Sequence, residues 1–241
     1  MTSLAAEPIF TLGSVTITNA VIDTILVDII IIALALTISK KIKLVPSFFQ
    51  GLVELAIEGF YNLTESVAKE RTMKIFPFVM TFFLFILISN WSGLLPILTA
   101  INIHHGEEVF PLIRSASTDL NTTVALALVS LVATHTMSIQ TLGIKSYLSR
   151  FFSLNPLALY TGILELISEF TKIISFSFRL FGNIFVGEVM LASLGAVSAF
   201  ILPIPVIMYE MFVGVIQATI FGLLTMAFMG IFTTPHGEGK H

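Results

Sequence analysis

The sequence predicts an all-α membrane protein, and three observations carry that prediction. Hydrophobic residues make up 56% of the 241 residues and charged residues only 11%, where an ordinary soluble domain carries about 25% charged. Several apolar tracts exceed the ~20 residues that cross a bilayer as a helix. None of them alternates apolar and polar residues as the strands of a membrane barrel do. A mean hydropathy of +0.97 also excludes disorder, which needs low hydrophobicity. The absence of cysteine removes disulfides, thiolate metal sites and cysteine nucleophiles. A net charge of −3 gives no reason to expect a nucleic-acid partner.

The chain reads as a single membrane domain over 1–241, in segments. Residues 1–18 lack a basic region followed by an apolar core, so they do not read as a cleaved signal peptide. The first span, 19–39, is NAVIDTILVDIIIIALALTIS. It carries Asp23 and Asp28 in its first half and is followed by Lys40, Lys41 and Lys43. In 46–70 the apolar residues Leu52, Leu55, Ala56, Phe60 and Leu63 share one helical face, and Glu54, Glu58 and Glu65 take another. A helix of that pattern is too polar to span and suits a membrane surface. A hairpin of two spans follows over 76–142, the first at 76–100 and the second at 119–142, joined by a loop that holds Arg114. The last segment, 156–232, is a hairpin of two tracts longer than a perpendicular span, so strong tilt is expected. Gly195, Pro203 and Pro205 mark its turn.

Lysine and arginine set the orientation. Lys40, Lys41, Lys43, Lys69, Arg71 and Lys74 fall between the first two spans, and Lys145 and Arg150 follow the third. Five crossings then put the N-terminus outside and the C-terminus in the cytoplasm.

The chemistry concentrates in the final hairpin. As one helix, 160–190 places Glu165, Ser168, Lys172, Ser175 and Asn183 within about 40° of Arg179, forming a polar stripe. Glu188 projects from nearly the opposite face, ~13 Å beyond Arg179. In the last tract Glu210 and Gln217 share a face ~10 Å apart, with the small Gly214 between them. Charges inside a membrane face a partner or a watery cavity. A cation flanked by acids and amides at several depths is what a proton path needs. His135 inside the third span is either a relay or a hydrogen-bonded interhelical residue. Glu188 and Glu210 either carry protons or pair with Arg179 across the hairpin.

Four stretches then give a resemblance: NWSGLLP (90–96), STDLNTT (117–123), SFRLFGNIFVGE (177–188 with its leading Ser) and IQATIFGLLTMAF (216–228). In that order, across nearly the whole chain, they resemble subunit a of F-type ATP synthases. The resemblance implies a fold: an N-terminal transmembrane helix, an amphipathic surface helix, a two-helix transmembrane hairpin and two long, strongly tilted helices packed against a rotor ring. It implies a stator subunit that offers two aqueous half-channels to the carboxylates of the c-subunit ring, and that is not catalytic alone. Arg179 matches the family's essential arginine, Asn183 and Glu188 the amide and acid downstream, and Gln217 the final-helix glutamine. Asp119 and Asn121 match polar residues of the outer access path, and Glu165 and Ser168 those of the inner exit. Glu210 stands where some members have histidine. The implied cargo is H+ in preference to Na+, with no cofactor. The implied partners are the c ring, the peripheral stalk of subunit b, other synthase subunits and the lipid bilayer. The implied location is a bacterial inner membrane. Two other readings compete: a secondary transporter with an anion site at Arg179, which should show internal repeats, and a purely structural anchor subunit.

Overall fold

The computed structural model describes residues 7–12, 15–40, 42–95, 102–105, 108–152, 156–198 and 201–234. It is nearly all helical. In chain order the helices are α1 (Asn19–Lys40), α2 (Phe48–Ala68), α3 (Thr72–Ser92), α4 (Leu120–Leu142), α5 (Ile144–Phe151), α6 (Pro156–Val197) and α7 (Pro203–Thr233). Among the described residues, five helical segments are long and apolar enough to cross a membrane, α2 and α3 counting as one. Residues 96–100 of the expected second span, and Lys41, lie outside the described residues.

Local chemistry explains most boundaries. The Asn19 side-chain oxygen accepts the Ala20 N–H at 3.0 Å and the Glu7 N–H at 3.2 Å, which ties the start of α1 to the preceding segment. Ser47 caps α2 by accepting the Gln50 N–H, and Asp119 caps α4 by accepting the Asn121 N–H at 2.9 Å. Gly143, at φ +80°, makes the break between α4 and α5 that a residue with a side chain rarely adopts. Two small antiparallel hairpins, β1 (Pro8–Leu12) with β2 (Val15–Thr18) and β3 (Asn102–His105) with β4 (Glu108–Pro111), occupy stretches where the sequence predicts no strand. Strands of four or five residues are too short for a period of two to stand out beside long apolar tracts.

The core lies where α3, α4, α6 and α7 meet. Val79, Phe82 and Ile86 of α3 pack with Ala127 of α4, Phe176 and Leu180 of α6, and Ala218, Phe221 and Met229 of α7. The Phe176 and Phe221 rings meet at 4.9 Å. At 42 residues, α6 is about 63 Å long, roughly twice the ~30 Å hydrocarbon thickness.

One close approach fixes the start of α6. A Cβ at Gly162 would sit 2.5 Å from the Phe151 carbonyl oxygen and 2.9 Å from that of Arg150. These are backbone atoms and have nowhere to go. Gly162→Val is therefore expected to part α5 from α6 and to lower the thermal stability of the purified complex by about 1–3 kcal/mol. An unchanged melting curve in detergent would contradict the contact.

Candidate functional site

α6 presents two chemically different faces. Arg179 and Ser168 lie on the exposed one. Arg179 donates from Nη2 to Ser175 Oγ at 3.2 Å, one turn earlier. With Gln217 of α7 it lines a cavity of about 10 Å³ that Phe176 and Phe221 wall on the bundle side. Among the described residues no carboxylate pairs with Arg179: the ion pairs are Arg114–Glu188, His135–Glu169, Arg150–Glu165 and Lys172–Glu169. Lys172 does not stay on the stripe. Its ammonium folds into the bundle onto Glu169, 3.7 Å from the centre of the Phe228 ring, where a cation and a ring face attract.

At the end of the bundle that carries the 102–119 connection, a polar group gathers around Glu188 and Glu210. Arg114 grips one oxygen of Glu188, Oε2, with two donors at 3.0 and 3.2 Å. Glu210 is 3% exposed. A Cβ on Gly187 would lie 2.5 Å from its carboxyl carbon, so the carboxylate rests directly on the backbone of α6. Nearby, α3 meets α7: Trp91 Nε1 donates to the Met211 carbonyl at 3.1 Å, and a Cβ on Gly214 would lie 3.3 Å from Asn90 Cβ. Asn90 is fully buried. Both its amide atoms, Asn183 Nδ2 and Glu210 Oε2 make no hydrogen bond to protein. Each such orphan costs about 1–3 kcal/mol when dry, so this set of donors and acceptors is chemistry for holding water.

Asp23 belongs to the same end. It is fully buried in α1 and accepts the Ala116 N–H at 2.8 Å and the Ser89 hydroxyl at 3.5 Å. Ser89 in turn lies 3.4 Å from the Ser117 hydroxyl. Asp119 and Asn121 bond each other at the more exposed start of α4. The site residues named from sequence did not include Asn90 or Asp23. The signal for Asp23 is an acid inside an apolar span.

The opposite end holds a second group. Arg150 of α5 pairs with Glu165 at 2.6 Å, donates to the Ile231 carbonyl at 3.2 Å and covers the Phe232 ring at 4.2 Å. Arg71 donates to the Thr233 carbonyl. The two arginines thus meet carbonyls at the C-terminal, negative end of the α7 dipole. His135 of α4 lies between Tyr147 and Glu169. Glu169 itself, absent from the residues named from sequence, is buried. Burial, with the Glu169 charge next, pushes the Tyr147 phenol above its ordinary value, so its hydroxyl keeps its proton at neutral pH. The site residues thus fall into three places: Glu188, Glu210 and Asn183 near one end, with Asp119 and Asn121 beyond them; Arg179 and Gln217 at mid-helix; and Glu165, Ser168 and His135 toward the other end. Among the described residues no group of three or more His, Asp or Glu side chains could hold a metal ion.

The family described as ATP synthase A chain matches residues 21–230. The ATP synthase subunit a of Moorella thermoacetica (strain ATCC 39073 / JCM 9320) is 30% identical over 236 residues, spanning 98% of this chain and 100% of the relative.

Proposed function

The chain belongs to the ATP synthase A chain family, the proton-translocating membrane subunit of F-type ATP synthases, and from that premise we propose that Arg179 separates two half-channels within it. The protein is a multi-pass membrane protein that works with other ATP synthase subunits and is not a catalytic subunit by itself. The observation that carries the finer reading is an exposed guanidinium with no carboxylate partner among the described residues, while the acids are held at the two ends of the bundle. A bare cation on a lipid-depth surface calls for a carboxylate from elsewhere, and the c ring supplies one.

Protons enter from outside past Asp119, Asn121, Glu188 and Glu210, with Asn90 and Asn183 holding water along the way. They neutralise a ring carboxylate, which then turns through lipid. On returning, that carboxylate meets Arg179. The cation holds it ionised, and the proton leaves toward Glu165 and Ser168. Arg179 carries no proton itself, because guanidinium stays protonated in proteins; it therefore blocks a direct leak. Each charge moved gains about 2.3 kcal/mol per 100 mV. In this reading α2 lies on the membrane surface, α3 and α4 form the transmembrane hairpin, and α6 and α7 run strongly tilted along the ring. Subunit b docks on the remaining surface. The membrane is the bacterial inner membrane, with the N-terminus outside and the C-terminus cytoplasmic, the orientation favoured by the lysine and arginine distribution.

The native chain has no cysteine, so single cysteines report access cleanly. In the assembled complex in sealed vesicles, Asn183→Cys is expected to react with a thiol-directed ion added outside. Ser168→Cys should react with the same ion added from the cytoplasmic side. Reaction of both positions from one side alone would sink the two-channel arrangement.

A further inference from the structure

α6 carries an acid–base assembly that the Arg179 stripe does not contain. Glu169 lies about 80° around the helix from Arg179 and about 15 Å along it, and its carboxylate, 8% exposed, sits between the helices. One oxygen holds the Lys172 ammonium; the other, Oε2, is 3.5 Å from His135 Nε2. His135 Nδ1 is 3.0 Å from the Tyr147 hydroxyl. Glu169 and Lys172 also line a cavity of about 20 Å³ with Ser130 and Thr134, enough room for about one water. Phe176 walls this cavity and also the one shared by Arg179 and Gln217. Polar groups therefore run from beside Arg179, across one aromatic ring, to α5 at the bundle end.

The charged groups that surround His135 are paired with one another. Facing it are Glu169 and Lys172 from α6, Tyr147 with Arg150 and Glu165 behind it, and from α7 the Phe232 ring at 5.3 Å. Arg71 is engaged one residue further on, at the Thr233 carbonyl. Lys172 and Glu169 offset each other, as do Arg150 and Glu165. Imidazole is the side chain suited to exchanging protons near neutral pH.

Resting on the two-channel reading above, we propose that Glu169, His135 and Tyr147 form a proton-release branch inside the bundle, parallel to the outward face that carries Glu165 and Ser168. A proton crossing from the Arg179 cavity as the Phe176 ring turns is taken up by the Glu169 carboxylate. The carboxyl O–H bond breaks as an N–H bond forms at His135 Nε2. The imidazolium gives its Nδ1 proton to the Tyr147 oxygen while the phenol passes its own proton to water. One proton enters and one leaves, and the ring and hydroxyl reorient to their starting states.

The test uses the assembled synthase in proteoliposomes, with proton-driven ATP synthesis measured against the pH of the compartment facing α5. His135→Ala is expected to lower the rate about tenfold, less than the ~10² of a sole acid–base group, because the outward face remains open. It should also erase one limb of the pH profile. Imidazole added to that compartment should restore rate and limb, which a packing role would not allow. Tyr147→Phe keeps the ring contacts, so it decides the matter if His135→Ala fails to assemble; it too should slow synthesis and move the limb. Wild-type rate and profile in Tyr147→Phe, or a His135→Ala loss that imidazole leaves untouched, would overturn the branch. Arg179→Ala in the same assay separates the two readings. If it keeps coupling, the two-channel reading fails. If it loses coupling while both other variants behave as wild type, the branch alone fails.

Discussion

Arg179→Ala is expected to abolish ATP-driven proton pumping by the assembled synthase and to raise its passive proton leak. Both effects follow from one charge. In the two-channel reading, with the guanidinium gone, nothing holds the ring carboxylate ionised at the release point, and pumping should fall by about 10²-fold or more, the scale lost with a preorganised electrostatic partner. The same deletion joins the cavity beside Gln217 to water on either side, so protons pass without rotation. Arg179 is exposed and bonds only Ser175 among the described residues; the variant should therefore assemble and melt as the native complex does. Arg179→Lys should be intermediate, since an ammonium covered by the ring in the assembled complex can lose its proton where a guanidinium does not. Normal pumping with normal leak in Arg179→Ala would reduce this side chain to a packing residue and the chain to a scaffold.

The second large effect is expected at Gly187. Here the three carboxyl atoms of Glu210 fall 2.5, 2.6 and 2.8 Å from where a Cβ would be. Gly187→Ala must push the carboxylate aside, and if Glu210 handles protons as proposed, pumping should fall by up to about 10²-fold, the cost of a misplacement of about 1 Å. The change is a matter of room, so it should be relieved by making room. Glu210→Asp withdraws the carboxylate by one methylene. The double variant Gly187→Ala/Glu210→Asp should pump better than the product of the single effects, with a coupling of about 1 kcal/mol. Strictly multiplicative losses would show that the two positions do not act through contact.

Apolar length made α1, α3, α4, α6 and α7 legible and an amphipathic period made α2 so, whereas the eight-residue α5 is too short to give either signal. What a single helix cannot reveal is which side its neighbours occupy. Angle alone put Lys172 on the stripe with Arg179, within about 20°. The α7 rings Phe228 and Phe232 and the acid at 169 draw the long lysine stem inward instead. Glu169, about 80° off the stripe, faces inward for the same reason, and no spacing in the sequence announces it. Asp23 was visible as a misplaced charge, but its partner, the N–H of Ala116, is 93 residues away. Pairings at that separation are written in the packing of whole helices. The motifs NWSGLLP and SFRLFGNIFVGE did carry the family, because they hold Asn90, Asn183 and Glu188 in fixed order.

The two arginines at the end of α7 bear on how the chain is made. Arg71 and Arg150 lie far upstream of the Thr233 and Ile231 carbonyls that receive them. During synthesis both cations reach the membrane before their acceptors exist. Until the last turn of α7 arrives, each guanidinium lacks the carbonyl it will hold, and Arg150 lacks the Phe232 ring it will cover. The final helix turn therefore completes the bonding of both cations. A chain halted short of Ile231 would keep both cations but lack the two carbonyls and the ring that receive them.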